Sequence, residues 1–355
     1  MRIAHVRERH APAGTPWRLA AALGGRAADL PEPRRWLDLE VARRRLVAAD
    51  PRRAHNSVTF RLPVLTLDDH LARGLRVAAL GEIVDAMGAA TGGEDPTPDD
   101  DAVLGADDLV FGPPILRPPA FRDFYAFEQH VRTMWERRGG EIPEAWYRIP
   151  VFYLSNTSEI RGPGDPVWAP RGSAELDFEL EVGALVDTPA VNLAEERGEE
   201  AIGGYFVLND WSARDLQREE MAVRMGPAKG KDFATSIGPW LVTPDEVADA
   251  RAPGASGPDL AMSASVRGPD GRETAVSAGT WSASHYSFGQ MLARASADAH
   301  IRPGEILGSG TVGTGSLLEV KDSTLGRWLE PGDELTLDIE RLGALRAPVV
   351  VRPGP

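Results

Sequence analysis

One alternating run, Glu175–Val186, constrains the fold of this chain more than any other segment. Apolar side chains alternate there with Glu179 and Glu181, which is the period of a strand that packs one face against the protein interior. Residues two apart on a strand share a face, so the two carboxylates are expected about 6–7 Å apart and repel each other. Such a pair needs solvent, a proton or a cation. The pattern alone leaves open both a solvated acidic face and a site for a hard cation.

Strand-like segments recur from Leu109 onward, and turn residues separate most of them. They cover Val151–Leu154, Leu176–Val186, Tyr205–Leu208, Trp240–Thr243, Leu260–Val266, Glu305–Leu307, Ser316–Val320 and Glu334–Ile339. Helices are predicted after Arg122, from Ser212 to about Val223 and from Phe288 to about Ser296. Because strands outnumber helices and do not alternate with them, a doubly wound parallel sheet is not expected. The sequence predicts an α+β fold that is mostly β.

The N-terminal part has a different pattern. Its predicted elements are strands at Trp17–Leu23, Trp36–Leu39 and Val58–Leu62 and a helix from Leu67 to about Met87. The acidic stretch Glu94–Asp101 is typical of an exposed linker. We therefore predict a variable N-terminal domain over residues 1–108, with short strands, a helix and an acidic linker, and a larger domain over residues 109–355.

Composition narrows the class of protein. The 355 residues include no cysteine, which excludes disulfides, thiolate metal ligands and a cysteine nucleophile. The formal net charge of −14 disfavours nucleic acid as a partner, although a local cation or arginine still allows an anionic substrate. No segment is long and apolar enough to span a membrane, and the first ten residues lack the apolar core of a signal peptide. A cytoplasmic location is expected.

Two glycine-rich segments imitate nucleotide-binding motifs. Gly308–Gly313 has the spacing of a dinucleotide fingerprint, but the residues after it are predicted to form another strand and not a phosphate-binding helix. Gly226–Asp232 is one residue too short for a phosphate loop and has Asp232 where a metal-binding hydroxyl is needed. Neither segment is interpreted as a nucleotide site.

Several other segments contain residues that can carry chemistry. Asp123 and His130 are seven residues apart, which on a helix is two turns and one shared face, and Tyr125 lies near the start of that helix. Asp210 follows an apolar strand and precedes a helix on which Arg214 and Gln217 share a face. Helix caps and solvated side chains explain each segment equally well when it is taken alone.

The remaining candidates are weaker one by one. Lys231 follows a glycine-rich loop, Thr311 lies in a glycine-rich turn, and Glu319 is assigned to the predicted strand 316–320. His285 and His300 are interpreted as structural or surface residues. Taken together, the candidate residues suit a hard-metal site with a general base and donors for an oxyanion.

As a set, these segments resemble the fumarylacetoacetate hydrolase family. The matching stretches are Asp123–His130, Leu176–Glu181, Asn209–Gln217, Gly230-Lys231, Gly238–Trp240, Arg302–Glu305, Gly310-Thr311 and Leu318-Glu319. They keep the order of the family's motifs over about residues 110–345. The resemblance implies a mixed β-sandwich roll as the catalytic domain, usually in a homodimer.

The resemblance also implies a role for each candidate. Asp123, Glu179, Glu181 and Asp210 are implied as ligands of a divalent cation, with Mg²⁺ favoured over Ca²⁺ or Mn²⁺. His130 is implied as the water-activating base, with Glu319 as its orienting partner. Arg214, Gln217 and Lys231 are implied as groups that stabilise negative charge. Tyr125, Tyr153 and Thr311 are implied as substrate contacts.

The expected activity is metal-dependent hydrolysis of a carbon–carbon bond in a small anionic substrate, a 1,3-dicarbonyl or acylpyruvate. Decarboxylation, hydration or isomerisation of a 2-oxo acid at the same site is the alternative, and a non-catalytic protein with this fold is a third. The chain departs from fumarylacetoacetase at Met221, where a second tyrosine is expected. The expected substrate-binding arginine does not align, and Arg137 and Arg138 are its candidates.

Overall fold

The computed structural model describes residues 1–354. Its N-terminal part contains strands β1 (Arg2–Glu8), β2 (Arg18–Leu23) and β3 (Arg35–Asp38), helices α1 (Leu39–Ala49), α2 (Arg52–Asn56), α3 (Val58–Arg61), α4 (Leu67–Ala72) and α5 (Gly81–Ala90), and strands β4 (Val103–Gly105) and β5 (Leu109–Phe111). Short 3₁₀ helices lie at Val77–Leu80, Ala106–Asp108, Glu144–Tyr147, Glu195–Ala201, Pro244–Glu246, Ala248–Ala250, Trp281–Ala283 and Lys321–Ser323.

The rest of the chain is richer in strands. These are β6 (Phe121–Phe124), β7 (Phe152–Ser155), β8 (Ile160–Arg161), β9 (Leu176–Asp177), β10 (Leu180–Val186), β11 (Ile202–Asp210), β12 (Ser212–Ala213), β13 (Thr235–Val242), β14 (Ala261–Arg267), β15 (Glu273–Thr280), β16 (Ile306–Gly308), β17 (Glu334–Ile339) and β18 (Gly343–Pro348). The helices are α6 (Glu128–Arg137), α7 (Arg214–Ala222), α8 (Phe288–Ser296) and α9 (Leu317–Val320).

Strands from both parts of the chain form one large mixed sheet. Its order is β4-β3-β2-β1-β13-β11-β10-β16-β6-β7, with β5 and β8 paired at its side to β1 and β13. A second sheet has the order β15-β14-β17-β18, and β9 and β12 form a separate ribbon. The predicted α+β class is confirmed. The division at residue 108 stays a prediction, and the sheet is continuous across it through the pairing of β1 with β13.

The central strands of the large sheet are covered on both faces. Along β11, Phe206 and Leu208 pack into a core shared with the N-terminal helices, whereas Tyr205 and Val207 pack into a core shared with the second sheet. Every residue of β10 and β11 is buried as a result. Burying one such side chain contributes roughly 1.5–3 kcal/mol, so these strands form a rigid base for the side chains at their ends.

This double burial changes the interpretation of the Glu175–Val186 run. The prediction of one continuous, half-buried strand is wrong, because the run divides into β9 and β10 at residues 178–179. Both of its glutamates are buried. The solvated acidic face is thereby excluded.

Three other predicted elements differ from the structure. The single helix from Leu67 to Met87 is interrupted, because Gly74 takes a left-handed φ of +74° between α4 and the next helical turn. Val58–Leu62 forms helix α3 and not a strand, with Ser57 as its N-cap. Ser316–Val320 is helical, because a buried carboxylate from β9 binds the first N–H groups of α9. Among residues 1–354, no helix combines the length and apolar character that crossing a bilayer requires.

Candidate active site

Three predicted ligands meet at the ends of neighbouring strands. Asp123 lies on β6, Glu181 on β10 and Asp210 at the end of β11, and β16 separates β6 from β10 in the sheet. Each carboxylate places an oxygen within 4.8 Å of an oxygen of the other two, and all three residues are buried. We call these residues the acidic triad.

The negative charge of the three buried carboxylates in the acidic triad is only partly balanced by neighbouring side chains. One oxygen of each member, Asp123 Oδ1, Glu181 Oε1 and Asp210 Oδ1, is buried with no hydrogen-bond partner among residues 1–354. Burial, and then the charge of Asp210, raises the pKa of Asp123 well above its usual value. Burial, followed by the charges of Asp123 and Asp210, does the same to the pKa of Glu181. Three free hard oxygens in one buried cluster fit a divalent cation such as Mg²⁺.

Gly308 makes the close approach of two triad members possible. It lies on β16 between β6 and β10, opposite Asp123 in one pairing and Gly183 in the other. A Cβ atom at this position would lie 2.7 Å from Glu181 Oε2 and closer still to Asp123 Oδ1. Position 308 must therefore be a glycine while the carboxylates of Asp123 and Glu181 point inward. Sequence reasoning dismissed this glycine-rich segment as a false nucleotide motif and missed that requirement.

Glu179 lies beside the acidic triad but has a different environment. Its Oε1 forms an ion pair with Arg214 Nη1 at 2.8 Å, and its Oε2 accepts from Lys231 Nζ. Burial alone would raise the pKa of Glu179, but Lys231 and then Arg214 outweigh it and lower that pKa. Lys231 Nζ also donates to Asp210 Oδ2 at 2.6 Å, which links the two groups. A direct role for Glu179 as a ligand stays a prediction.

Arg214 is held from several sides and keeps one free donor. Its Nε donates to Asp177 Oδ2 at 2.7 Å, and its Nη1 donates to Gln217 Oε1 at 3.0 Å and forms an ion pair with Glu179. Its Nη2 is buried with no partner in the part of the chain that the structure describes. The predicted proximity of Arg214 and Gln217 on one helix face is therefore observed, and Arg214 lines the cavity.

The predicted base and its partner are in contact. His130 Nδ1 lies 2.8 Å from Glu319 Oε2, and both side chains are almost completely buried. This contact leaves Nε2 as the ring nitrogen free to act in the cavity that His130 lines. The prediction that Asp123 and His130 share a helix is wrong. Asp123 lies on β6 and His130 on α6, because the chain turns at residues 125–127.

Glu319 is fixed by the turn that precedes α9. Its Oε1 accepts from the Thr314 N–H at 3.2 Å, and its Oε2 accepts from Ser316 Oγ at 3.1 Å. Thr314 has a φ of +71°, which is rare for a β-branched residue and costs roughly 1–3 kcal/mol. The conformation of this turn therefore lowers the stability of the fold, but it holds Glu319 against His130.

A cavity of about 260 Å³ is lined by most of these side chains, namely Asp123, His130, Glu179, Glu181, Arg214, Gln217 and Lys231. Tyr125, Tyr153 and Thr311, the predicted substrate contacts, all line it. The Tyr153 hydroxyl also donates to Asp210 Oδ2, so that oxygen is occupied and only Oδ1 remains free. Burial, and then the charge of Asp210, raises the pKa of Tyr153, which keeps the phenol protonated as a donor.

A second cavity of about 550 Å³ adjoins the first and shares six lining residues with it. The shared residues are Met134, Arg138, Arg214, Gln217, Met221 and Leu318. We call this the outer cavity. Arg138 borders both cavities, whereas Arg137 borders only the outer one, so Arg138 is the better placed of the two candidate arginines. His285 and His300 are exposed, as expected.

The sequence is similar to that of known enzymes. The family model described as fumarylacetoacetate (FAA) hydrolase C-terminal matches residues 120–350. Fumarylacetoacetase of Arabidopsis thaliana is 29% identical over 270 residues, which cover 61% of this chain and 63% of that protein. A 2,4-didehydro-3-deoxy-L-rhamnonate hydrolase of Sphingomonas sp. (strain SKA58) is 30% identical over 203 residues, covering 56% of this chain and 65% of that protein. Each match spans less than two thirds of the relative's length.

Solved structures share the fold over nearly the whole chain. Fumarylacetoacetate hydrolase from Exiguobacterium antarcticum superimposes with a TM-score of 0.65 at 21% identity, covering 99% of this chain and all of that one. The 5-carboxymethyl-2-hydroxymuconate delta-isomerase from Mycobacterium smegmatis gives 0.60 at 19% identity, covering 99% of this chain and all of that one. At these identities the likeness establishes the common fold.

Proposed function

Because this chain belongs to the fumarylacetoacetate hydrolase family, we propose that it hydrolyses a carbon–carbon bond in a 1,3-dicarbonyl or acylpyruvate substrate. The observation that carries the proposal is that one cavity is lined both by Asp123 and Glu181 of the acidic triad and by His130, which is paired with Glu319. The first group suits a cation that polarises a dicarbonyl. The second suits activation of a water molecule.

The acidic triad, with Glu179 beside it, would hold the cation, which we propose to be Mg²⁺. The donors are all carboxylate oxygens, the ligands that Mg²⁺ prefers, and no sulfur ligand is available in a chain without cysteine. When bound, the cation would supply Lewis acidity that stabilises the negative charge of an enolate leaving group. Lys231 neutralises part of the remaining charge through Asp210 and Glu179.

His130 is proposed to remove a proton from water through Nε2. Glu319 binds Nδ1, which fixes the tautomer and stabilises the imidazolium that forms when the proton arrives. The resulting hydroxide attacks the carbonyl carbon of the acyl group and produces a tetrahedral oxyanion. Collapse of that intermediate breaks the carbon–carbon bond, releasing a carboxylic acid and an enolate that takes up a proton.

Arg214 Nη2 is the best donor for the oxyanion. It is buried, unpaired among residues 1–354 and part of a side chain that lines the cavity. Gln217 keeps its amide N–H groups free, because its carbonyl oxygen already accepts from Arg214. Lys231 retains one N–H after its bonds to Glu179 and Asp210. One such donor is typically worth about 10²–10³ in rate.

The outer cavity is proposed to receive the acyl arm of the substrate. Met134, Met221 and Leu318 give it an adaptable apolar wall, and Arg138 lies where a terminal carboxylate would bind. Methionine at position 221 removes a phenol that could bind a polar arm. This difference supports a substrate other than fumarylacetoacetate itself.

A substrate screen in isotopically labelled water tests the proposal. Acylpyruvates, β-diketones and oxaloacetate are incubated with the protein and Mg²⁺ or Mn²⁺. Hydrolysis places solvent oxygen in a new carboxylate. Decarboxylation, hydration or isomerisation of a 2-oxo acid, the alternative use of the same site, cleaves no acyl group and leaves no such label. Binding of the cation without turnover of any substrate would support the non-catalytic reading.

A homodimer and a cytoplasmic location belong to the same proposal, with neither nucleic acid nor membrane as a partner. The edge strand β7 supports the homodimer, because it ends the large sheet and exposes 68% of Leu154. Val151 and Phe152 beside it are also partly exposed and line the cavity. A second copy of the chain would cover this apolar edge. Light scattering that finds only monomers would reject the dimer.

A further inference from the structure

Asp177 is a fully buried carboxylate that sequence reasoning did not select. It lies on β9 with 0% of its surface exposed. Its Oδ1 accepts from the N–H groups of Phe178 at 2.8 Å and Leu317 at 2.7 Å. Its Oδ2 accepts from Leu318 N–H at 2.9 Å and from Arg214 Nε at 2.7 Å. Asp177 thus binds α7 and α9 at the same time.

We infer that Asp177 is a positioning residue that holds the water-activating pair and the oxyanion donors in one fixed arrangement. The inference rests on the proposed function, since it assigns Asp177 no contact with substrate. It acts through Glu319 on one side and through Arg214 on the other.

The link from Asp177 to Glu319 runs through the start of α9. Ser316 stands at the N-cap of this helix but gives it no side-chain cap, because its hydroxyl donates to Glu319 instead. Asp177 supplies the missing cap from another strand by accepting from Leu317 and Leu318. Loss of that cap would free the short helix that carries Glu319, and His130 would lose its orientation.

The link from Asp177 to the oxyanion donors runs through the planar guanidinium group of Arg214. With Nε bound to Asp177, the plane of the group is fixed, so Nη1 reaches Glu179 and Gln217 while Nη2 stays free. Without Asp177 the guanidinium can turn. Arg214 Nη2 and the side chain of Gln217, which is bound to Nη1, then move with it. Positioning partners of this kind typically contribute about 10–100-fold in activity at metal sites.

Asp177→Asn tests the inference, and Asp215→Asn is its matched control. Asp215 also holds the segment before β9 against α7, accepting from Ser173 Oγ and Ala174 N–H at 2.7 Å each, but its carboxylate is hydrogen-bonded neither to the Arg214 guanidinium nor to α9. We expect Asp177→Asn to lower kcat about 10–100-fold, with KM and the Kd for Mg²⁺ within about threefold of wild type. Asp215→Asn should leave all three unchanged.

Double mutants separate positioning from general loss of structure. If Asp177 acts through Glu319 and Arg214, its substitution costs less in a Glu319→Gln or an Arg214→Gln background than in the wild type. The same fold-loss in every background, or an equal loss in Asp215→Asn, overturns the inference. Asp177→Ser replaces the asparagine variant if that variant does not fold. Failure of both to fold would make the residue structural and also overturn the inference.

A readout without turnover keeps this test distinct from that of the proposed function. With Nδ1 of His130 against Glu319 Oε2, we expect a proton on Nδ1 in this contact and a resonance from it in NMR spectra. We expect Asp177→Asn to shift or broaden it and Asp215→Asn to leave it in place. An unchanged resonance in Asp177→Asn overturns the inference even if no substrate is found, whereas a wild type that hydrolyses nothing overturns only the proposed function.

Discussion

Two groups of buried carboxylates lie side by side at the candidate site and differ in how their charge is balanced. Asp177 and Glu179 are paired with Arg214, and Glu179 also with Lys231. The acidic triad has one cationic contact, from Lys231 to Asp210, and keeps three oxygens free. The pKa of Glu179 is lowered, whereas the pKa values of Asp123 and Glu181 are raised.

The difference shows which buried acids have their charge balanced by side chains of the protein and which still need a partner. A carboxylate whose lone pairs are filled by arginine and lysine is complete without further partners. A buried carboxylate with a free oxygen and like charges around it needs a proton or a cation. Burial is the same in the two groups, so the counter-charges decide their roles.

The largest effect is expected from Glu181→Ala, which removes one of three oxygens that define the acidic triad. The variant should show no measurable binding of Mg²⁺ by calorimetry and no hydrolysis. Glu175→Ala, on the same segment but bound to Arg218 at the surface, is the control and should keep both. Full cation occupancy in Glu181→Ala would show that the acidic triad does not bind the cation, which would contradict the contrast with Asp177 and Glu179.

His130→Ala should lower the hydrolytic rate by about 10²–10⁴, because a positioned base is lost. The Kd for Mg²⁺ should stay close to that of the wild type, since His130 is not part of the acidic triad. Steady-state kinetics and calorimetry on the same preparation measure both quantities. His285→Ala changes an exposed histidine and should alter neither. A variant that retains most of the hydrolytic rate would reject His130 as the base.

Gly308→Ala should weaken cation binding by roughly 10–100-fold. The added methyl group would push apart Asp123 and Glu181, and overpacking of this kind costs about 1–3 kcal/mol. Gly81→Ala, on a helix with open space around the position, is the control. Unchanged calorimetric affinity in Gly308→Ala would mean that the two carboxylates do not need their close approach.

Stability without a cation should change in opposite directions in the two groups. With a chelator present, Glu181→Gln relieves repulsion within the acidic triad and should raise the free energy of unfolding by about 1–2 kcal/mol. Glu179→Gln removes a paired charge and should lower it by about 1–3 kcal/mol. Urea unfolding measures both variants. Shifts of the same sign would contradict the contrast between the groups.

The smallest expected effect is a loss of stability in mild acid, caused by His5 in the N-terminal part. His5 is fully buried, with Nδ1 bound to the Pro113 carbonyl at 2.8 Å and Nε2 accepting from Leu67 N–H at 2.9 Å. Burial lowers its pKa, although the Pro113 carbonyl, Asp68 and Asp69 oppose that shift.

The sign of this effect follows from the lowered pKa. The unfolded chain binds the proton first, so the contribution of His5 is complete above its ordinary pKa of about 6.5 and falls as the pH drops toward the folded value. The loss is at most about 1.4 kcal/mol per pH unit. Urea unfolding between pH 7.5 and roughly pH 5 should be less pH-dependent in His5→Gln than in wild type, and His300→Ala should match wild type. If the free energy of unfolding depended on pH equally in wild type, His5→Gln and His300→Ala, His5 would not be the cause of the acid sensitivity.

Sequence patterns predicted those parts of the site that depend on local order. The helix Phe288–Ser296 and the strand Tyr205–Leu208 before Asp210 follow from periodicity and end signals, and both are present. The residues of the acidic triad and the His130–Glu319 pair were selected from their types and from a family resemblance. The structure brings the three acids together, places Glu319 against His130 and lets Asp123, Glu181 and His130 line one cavity.

Other parts were set by distant neighbours that no local pattern contains. Leu317–Val320 reads as a strand in isolation, but Asp177, about 140 positions earlier, binds its first N–H groups. Gly308 looks like part of a nucleotide motif until Asp123 and Glu181 are placed on either side of it. A signal for Asp177 was available, since it lies two residues before Glu179. Nothing in the sequence tells that its partners lie on two separate helices.

The most direct test is anomalous diffraction from crystals of the protein grown with Mn²⁺. The account predicts one strong peak bounded by carboxylate oxygens of Asp123, Glu181 and Asp210, in the cavity that His130 lines. A peak elsewhere in the molecule, or empty density among these three side chains at saturating Mn²⁺, would contradict it.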